Sequence, residues 1–484
     1  MKYSVVTNIV GGAATLPSPR LQDVFDPSLG AVISKVSLSS AAEVDHAVQT
    51  ARLAFPAWAA TPIKERVQVF FRYKALLERH ADELAALITE ENGKVHGEAK
   101  AEVDRAAECA EFACSLPQLA RGEILEVSRG VDCRIDRWPL GVVASISPFN
   151  FPNMVPNWTI PNAIALGNTM ILKPSELVPL SAMRIAELLL EAGLPAGVFN
   201  VVHGGREAVE AICDHPDIEA ISFVGSTPVA KAVYRRGTSQ LKRVLALGGA
   251  KNHLIVMPDA DREMAASNIV ASMAGCAGQR CMAASVMVAV SATDPVIERL
   301  VEVARQLIPG RTLGPVISAA AKARIEGYIA EAEAAGAKVL LDGRGVTVPG
   351  KEGGFFIGPT VIDRVTPDMR IAQEEVFGPV LAIVRAKDVD EALTIENGSP
   401  YGNAASIYTE SGGIARYVAS KAHAGMVGVN VGVPVPREPF SFGGWNESKF
   451  GVGDITGHGS IEFWTKSRKT TIKWNREAGT NWMS

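Results

Sequence analysis

The sequence V-V-A-S-I at residues 142–146 has a small or apolar side chain at almost every position, a pattern typical of a β-strand buried on both faces. Similar short apolar runs occur at residues 169–172, 198–202 and 221–224. Stretches with helical periodicity separate these runs. Strands that alternate with helices at this spacing predict a parallel sheet with helices packed on its faces.

The rest of the chain extends this α/β pattern in both directions. The first third is predicted to be helical, with one long periodic stretch from about residue 63 to residue 88, ending near Gly93. A second α/β series follows residue 250, and its clearest strands are predicted at residues 284–290 and 404–408. The tail at residues 463–474 reads as a strand. A lone terminal strand needs a sheet to join, which favours pairing with another subunit.

The composition is that of an ordinary globular protein and argues against several classes of partner. A chain of 484 residues exceeds what one hydrophobic core usually serves, so two or more domains are expected. The net charge is −4, which gives no electrostatic reason to expect nucleic acid or an anionic membrane as a partner. The N-terminus lacks the features of a secretory signal, and no apolar run reaches about 18 residues. We therefore expect a cytoplasmic protein, with an organelle matrix as the alternative.

The six cysteines form no C-x-x-C pair and have no histidine pair at metal spacing beside them, so neither a metal site nor a disulfide framework is expected. One of them, Cys281, ends the stretch G-C-A-G-Q-R-C at residues 275–281. Small residues around it would let a substrate approach, and a thiolate attacks a carbonyl carbon well. Taken alone, however, this stretch favours a buried structural cysteine.

Four further segments accompany the Cys281 stretch along the chain. They are P-F-N-F-P at 148–152, K-P-S-E at 173–176, F-V-G-S-T at 223–227 and E-E-V-F-G-P at 374–379. All five resemble segments of the aldehyde dehydrogenase superfamily and occur in its order. The resemblance runs from about residue 20 to residue 470, and five ordered motifs over that span are very specific.

The resemblance implies an α/β fold with three parts. These are a Rossmann-like NAD-binding domain, an α/β catalytic domain and a small β oligomerisation element. The corresponding residues are 1–120 and 137–245 for NAD binding, 246–440 for catalysis, and 121–136 with 455–484 for oligomerisation. A homodimer or homotetramer acting on a small-molecule aldehyde is expected.

The resemblance also implies a covalent mechanism. In the family the cysteine, here Cys281, attacks the aldehyde, and hydride passes to NAD. The Asn of the P-x-N-F-P segment, here Asn150, donates its side-chain amide to the oxygen that becomes negative, together with the backbone N–H of the cysteine. By itself, Asn150 would be interpreted as a cap of the following helix.

Several residues are expected to bind NAD on the same grounds. Lys173 and Glu176 match the residues that hold the adenosine ribose, although by themselves they could be an ordinary solvated pair. A carboxylate there disfavours a 2′-phosphate, so NAD is expected rather than NADP. Gly225 and Ser226 open a helix whose N-terminus can hold the pyrophosphate. The remaining expected cofactor contacts are Ser147, Phe149, Leu177, Gly248, Glu375 and Phe377.

The stretch L-A-L-G-G at residues 245–249 departs from the hydrolytic members of the superfamily, which read L-E-L-G-G. Ala246 falls at the position of the glutamate that activates water in those members, and an alanine cannot accept a proton. One branch lacks this glutamate, the CoA-acylating methylmalonate-semialdehyde dehydrogenases, and G-A-K-N-H at residues 249–253 resembles it. Coenzyme A is therefore expected as co-substrate. The segment at residues 440–445 departs from the usual sequence of that branch, which leaves the exact aldehyde open.

Two arginines favour a substrate that carries a carboxylate. Arg280 precedes the nucleophile, and Arg105 matches a second arginine of the same branch. A structural salt bridge is the alternative for Arg105, and a supporting or surface position is the alternative for Arg280. Methylmalonate or malonate semialdehyde is the expected substrate. The alternatives are a hydrolytic NAD enzyme for another aldehyde and, more remotely, a catalytically slow dinucleotide-binding protein.

Overall fold

The structure, a computed structural model, describes residues 1–474. Its helices are α1 (Ala41–Ala60), α2 (Ile63–Arg79), α3 (Ala81–Asn92), α4 (His96–Cys114), α5 (Leu116–Leu119), α6 (Met154–Ala165), α7 (Pro179–Glu191), α8 (Arg206–Asp214), α9 (Thr227–Ser239), α10 (Arg262–Ala274), α11 (Asp294–Ala304), α12 (Ala319–Ala334), α13 (Arg370–Gln373), α14 (Val389–Asn397), α15 (Gly412–Lys421) and α16 (Gly459–Trp464).

Its strands are β1 (Ile9–Val10), β2 (Ala13–Ala14), β3 (Leu21–Asp26), β4 (Ala31–Ser37), β5 (Glu123–Ser128), β6 (Val131–Pro139), β7 (Val142–Ile146), β8 (Thr169–Lys173), β9 (Phe199–Val201), β10 (Ile218–Val224), β11 (Arg243–Leu247), β12 (Asn252–Val256), β13 (Ala284–Val290), β14 (Lys338–Leu341), β15 (Thr360–Asp363), β16 (Val380–Ala386), β17 (Tyr401–Gly402), β18 (Ala404–Tyr408), β19 (Met426–Val429), β20 (Trp445–Asn446), β21 (Lys449–Phe450) and β22 (Thr465–Lys473).

Two large sheets form the body of the molecule, which confirms the predicted α/β fold. The first sheet has the order β2-β1-β9-β8-β7-β10-β11-β21, and its strands from β9 to β11 are parallel. The second sheet has the order β14-β15-β16-β13-β12-β18-β19 and is parallel from β15 to β19. Strands β7, β8, β12 and β18 are buried along their whole length, as the unbroken apolar runs predict.

Each face of the first sheet has its own hydrophobic core. One core lies against helices α2, α3, α4, α6 and α7. The other lies against α1, α8 and α9. Successive side chains of β11 therefore point alternately into the two cores.

The long helical stretch predicted from residue 63 to residue 88 is two helices, so that prediction is wrong in its length. Helix α2 ends at Arg79 and α3 begins at Ala81, with His80 between them. The break lets both helices pack against α4, which one straight helix could not do. Gly93 then ends α3 in the left-handed conformation with φ +89°, close to the predicted end.

The predicted tail strand begins later than the sequence suggested. Phe463 and Trp464 are buried at the end of α16, because their large apolar side chains fill the core of the body. The strand that follows, β22, pairs along its whole length with β6 of the same chain. The small sheet β22-β6-β5 exposes Ile124 and Leu125 on β5. Residues 475–484 of the predicted oligomerisation element lie outside the described residues.

None of the helices in residues 1–474 is both long enough and apolar enough to span a lipid bilayer. The six cysteines are all free thiols.

Candidate active site

A cavity of about 1960 Å³ lies where the parallel strands of the first sheet end. Ordinary small-molecule sites are about 300–1,000 Å³, so this one has room for a dinucleotide and a second ligand. Every residue predicted for the site lines it. These residues are Arg105, Ser147, Phe149, Asn150, Lys173, Glu176, Leu177, Gly225, Ser226, Gly248, Arg280, Cys281, Glu375 and Phe377.

The turn before the nucleophile is tightly packed, which explains its small residues. Cys276 and Ala277 both have φ near +50°, and Gly278 has φ +71°. A Cβ atom at Gly278 would collide with the carbonyl of Gly378. The turn carries the chain to Cys281, which is partly buried beside the core on the α2–α4 side of the first sheet.

The backbone of Cys281 is fixed by two amide side chains from the second sheet region. Asn252 Nδ2 donates to the carbonyl of Cys281 at 2.8 Å, and Asn403 Nδ2 donates to the same oxygen at 3.0 Å. Both asparagines are buried. The nucleophile is therefore held by hydrogen bonds to its backbone carbonyl, and these bonds leave its thiol free to face the cavity.

Asn150 lies beside the nucleophile segment, as the sequence predicts. Its Nδ2 donates to the carbonyl of Gln279 at 2.9 Å, two residues before Cys281. A side-chain amide has two N–H groups, so one remains to donate elsewhere while the other fixes the group. The interpretation of Asn150 as a helix cap is wrong, because Asn153 is the residue at the N-cap of α6.

Burial raises the pKa of the Cys281 thiol to about 12, and the negative charge of Glu375 adds to the effect. The positive charge of Arg280 lowers the thiol pKa, but by less than burial raises it. Burial and Glu375 therefore favour the thiol form of Cys281 over the thiolate.

The other end of the cavity has the groups that a dinucleotide requires. Lys173 Nζ lies 3.0 Å from Glu176 Oε2 at the end of β8. Ser226 is the N-cap of α9, and within residues 1–474 its side chain forms no capping hydrogen bond. The buried Ser147 hydroxyl also has no partner in the described chain. These free donors fit sugar hydroxyls and a pyrophosphate at a helix N-terminus.

Two glycines let the chain pass close to other groups in the middle of the cavity, one of which is the partly buried carboxylate of Glu375. A Cβ atom at Gly249 would lie 2.5 Å from Oε2 of Glu375, and one at Gly248 would lie 2.7 Å from the carbonyl of Glu447. Burial raises the pKa of Glu375 to about 7. Phe377, two residues on, meets Phe149 edge to face with ring centres 5.8 Å apart.

The two predicted substrate arginines both reach the cavity, and each is paired with a carboxylate. Arg105 Nη2 lies 2.7 Å from Glu438 Oε2, and Arg280 Nη2 lies 3.3 Å from Glu98 Oε1. Both guanidinium groups are mostly buried, with 15% and 22% of the side chain exposed. The salt bridge that the sequence offered as the alternative for Arg105 is therefore present, and it fixes the group at the cavity wall.

Ala246 is fully buried on β11, and its place as the position of the missing base stays a prediction. It belongs to the core on the α1, α8 and α9 side of the first sheet. Leu245 and Leu247 belong to the opposite core, against which Cys281 packs. β11 therefore carries no carboxylate on either face.

A model of the aldehyde dehydrogenase family matches residues 16–470. The chain belongs to this family. A malonate-semialdehyde dehydrogenase from Pseudomonas aeruginosa is 46% identical over 483 residues, which cover 97% of each chain. A second protein of that name from Geobacillus kaustophilus is 47% identical, over 96% of this chain and 98% of its own.

Solved structures of aldehyde dehydrogenases have the same fold. A methylmalonate-semialdehyde dehydrogenase from Oceanimonas doudoroffii has a TM-score of 0.96 and 44% identity, over 98% of this chain and 99% of its own. The same values hold for a protein from Sinorhizobium meliloti 1021 that carries the methylmalonate-semialdehyde dehydrogenase name and was solved with NAD.

The sequence did not indicate several charged residues that lie at this dehydrogenase site. Lys94, Glu98 and Glu102 contact the two loops that carry Asn150 and Cys281. Glu98, Glu102 and Arg105 are spaced four and three residues apart, so they share one face of α4. That spacing was visible in the sequence, but a charged helix face usually points to solvent.

Replacing Glu375 by Gln is expected to make Cys281 react faster with iodoacetamide above pH 7. Removing the carboxylate charge lowers the thiol pKa. Each unit of decrease raises the thiolate fraction about tenfold, while the lower basicity of the thiolate leaves about a threefold net gain. Because the pKa of Glu375 is about 7, the two proteins should converge below about pH 6.

The measurement is the second-order rate constant of inactivation against pH in the NAD-free protein. Glu374→Gln is the matched control, because Glu374 is the adjacent residue and pairs with Arg370 at the surface. Equal rates for the wild type and Glu375→Gln at pH 8.5 would contradict the effect of this carboxylate on the thiol.

Proposed function

We propose that this protein oxidises malonate or methylmalonate semialdehyde with NAD, forms a thioester on Cys281 and transfers the acyl group to coenzyme A. The observation that carries the proposal is the hydrogen bond of Asn150 to Gln279, which brings an oxyanion donor beside the nucleophile. The names of relatives at 46–47% identity support this substrate class. The proposal also includes a cytoplasmic location, which the free cysteines support.

In the first half-reaction, Cys281 Sγ bonds to the aldehyde carbon and the carbonyl oxygen becomes negative. The free N–H of the Asn150 amide and the backbone N–H of Cys281 stabilise that charge. NAD, when bound, accepts the hydride that leaves the carbon, which converts the adduct into a thioester on Cys281. Cys281 attacks as the thiolate, after its proton has passed to solvent. Burial and the charge of Glu375 oppose this ionisation, and Arg280 favours it.

The residues at the other end of the cavity fit NAD. Lys173 and Glu176 would bind the adenosine ribose, and the N-terminus of α9 with Gly225 and Ser226 would bind the pyrophosphate. Glu176 would repel a 2′-phosphate, which favours NAD over NADP. The nicotinamide end would contact Glu375, Phe377, Phe149, Leu177, Ser147 and Gly248.

In the second half-reaction, the thiol of coenzyme A attacks the thioester and frees Cys281. A thiolate needs no strong base at the moment of attack, whereas water does. The residues of β11, R-V-L-A-L, include no carboxylate that could activate water, which supports this route. Before that attack, loss of CO₂ from the acyl group on Cys281, with a proton from water taking its place on the α-carbon, would leave an acetyl or propionyl thioester. Malonate semialdehyde would then give acetyl-CoA and methylmalonate semialdehyde propionyl-CoA.

Arg105 and Arg280 would hold the carboxylate of the semialdehyde. Their guanidinium groups lie in the cavity wall with part of each surface open, and Glu438 and Glu98 fix their orientation. Two oriented guanidinium groups bind a carboxylate more strongly than they bind a neutral aldehyde.

The proposal includes the domain division given above and assembly into a homodimer or homotetramer. The small sheet supports assembly, because β5 exposes Ile124, Leu125 and Val127 on a sheet with two open edges.

Omitting coenzyme A should reduce steady NADH production by at least about 100-fold, after a burst of one NADH per active site, because water then has no general base. Stopped-flow absorbance with malonate semialdehyde measures both phases. Cys281→Ala should abolish the burst, and Cys133→Ala, which changes a thiol in the small sheet, should not. Undiminished turnover without coenzyme A would favour the hydrolytic alternative. Absence of any burst would favour a slow dinucleotide-binding protein.

Ala246→Glu should increase turnover without coenzyme A by about tenfold or more, because it places a carboxylate at the position that activates water in the hydrolytic members of the family. Ala246→Gln is the matched control, because a neutral amide of the same size cannot accept the proton. The measurement is steady NADH production with malonate semialdehyde in the absence of coenzyme A. Equal rates in the two variants would contradict the place of residue 246 as the position of the base.

Removing the carboxylate from the substrate should lower kcat/KM by about 10- to 100-fold, if two charge-assisted contacts of about 1.5–3 kcal/mol are partly lost. Propionaldehyde and malonate semialdehyde form the matched pair of substrates. In Arg280→Met the difference between them should shrink, while kcat/KM for propionaldehyde changes little. A wild-type enzyme that does not discriminate between them would exclude the arginine pair as a carboxylate site.

A further inference from the structure

The loop that carries Asn150 is held by side chains from the turn between α3 and α4 and from α4 itself. Lys94 Nζ donates to the carbonyl of Asn150 at 2.8 Å. Glu102 Oε1 accepts the backbone N–H groups of Asn153 at 2.8 Å and Met154 at 3.0 Å. The loop is thus fixed at Asn150 and again at the first turn of α6, so its two ends cannot move independently.

Lys94 and Glu102 are also bound to each other. Their charged atoms lie 2.5 Å apart, and the side chains are 1% and 0% exposed. Lys94 Nζ further lies 4.1 Å from the centre of the Phe151 ring, inside the same loop. A buried ion pair gains little stability over apolar residues because both charges lose their water. Its hydrogen bonds to the loop are therefore its most specific contribution.

The same helix also holds the nucleophile segment. Glu98 Oε1 accepts the backbone N–H of Cys276 at 2.8 Å, at the tight turn before Cys281. Glu98 and Glu102 are four residues apart on α4 and therefore lie on one face, one turn apart. Helix α4 thus contacts both halves of the reaction centre through adjacent carboxylates.

We propose that the buried Lys94–Glu102 pair is a positioning device that sets Asn150 at the correct distance from Cys281, with α4 as the common support. This inference rests on the proposed role of Asn150 as oxyanion donor. The pair does not touch the substrate. It acts through the carbonyl of Asn150 and the start of α6, and its effect should appear in the chemical step rather than in cofactor binding.

The test measures the rate constant of the NADH burst with malonate semialdehyde in Lys94→Met, Asn150→Ala and the variant with both changes. Loss of one oxyanion donor costs about 100- to 1,000-fold. Lys94→Met, which leaves the donor present but misplaced, should slow the burst about 10- to 100-fold. The combined variant should be no slower than Asn150→Ala, because a positioning residue has no effect without the group that it positions.

Two further measurements separate positioning from general damage. The NAD dissociation constant and the rate of Cys281 alkylation should change less than about threefold in Lys94→Met. Lys100→Met is the matched control, since Lys100 lies on α4 with an exposed partner, Asp82, at 2.7 Å. If Lys94→Met does not fold, Lys94→Met/Glu102→Gln replaces it in the comparison, because that variant leaves no unpaired buried charge.

The possible outcomes distinguish this inference from the proposed function. A slow burst in Asn150→Ala with a normal burst in Lys94→Met overturns the inference alone. A combined variant whose burst is slower than that of Asn150→Ala by the factor seen in Lys94→Met alone also overturns it. So does an NAD affinity that falls in parallel with the burst rate constant. A normal burst in Asn150→Ala overturns the donor role, and the inference with it.

Discussion

Parallel strands that end along one edge of a sheet are the constraint on which this site depends. In the first sheet, the loops that follow β7, β8, β10 and β11 all open at that edge. Asn150, Lys173, Gly225 and Gly248 are far apart in the sequence but stand within one cavity for this reason. The second sheet supplies the other wall. Amide side chains of that region bind the backbone of Cys281, so the nucleophile is placed by the two sheets together.

Much of the fold and most of the cavity could be predicted from the sequence, because the motif residues follow strands that are recognisable by themselves. The sequence did not show which side chains of a buried strand point to which face of the sheet. β11 reads R-V-L-A-L, and a strand buried on both faces has no alternation of polar and apolar residues to indicate which side chain points where. The motif match identified Ala246 as the position of the base, and the packing places Ala246 and Leu247 in the two opposite cores.

The residues that the sequence did not reveal are those whose roles depend on contacts between distant segments. Glu98 and Glu102 look like a solvated face of α4, since charged side chains are seldom fully buried. Glu102 is fully buried beside Lys94 and the N–H groups that begin α6, and Glu98 is partly buried beside Arg280 and the N–H of Cys276. No local pattern contains that information. The division of the predicted long helix at His80 has the same origin, because it is packing against α4 that separates α2 from α3.

The carboxylates of the cavity differ in what they can do chemically. Glu102 is bound to Lys94 and to two backbone N–H groups, which together use both of its oxygens, whereas Glu98 accepts the N–H of Cys276 and contacts Arg280 both through Oε1. Within residues 1–474 Glu375 forms no ion pair, although the charges of Lys251 and Arg324 act on it. Burial outweighs them and raises its pKa to about 7, while its own charge opposes ionisation of Cys281. A carboxylate that disfavours the thiolate must be neutralised or screened before attack. Chemistry at Cys281 is therefore tied to what occupies the space around Glu375, the place where the nicotinamide end of NAD would lie.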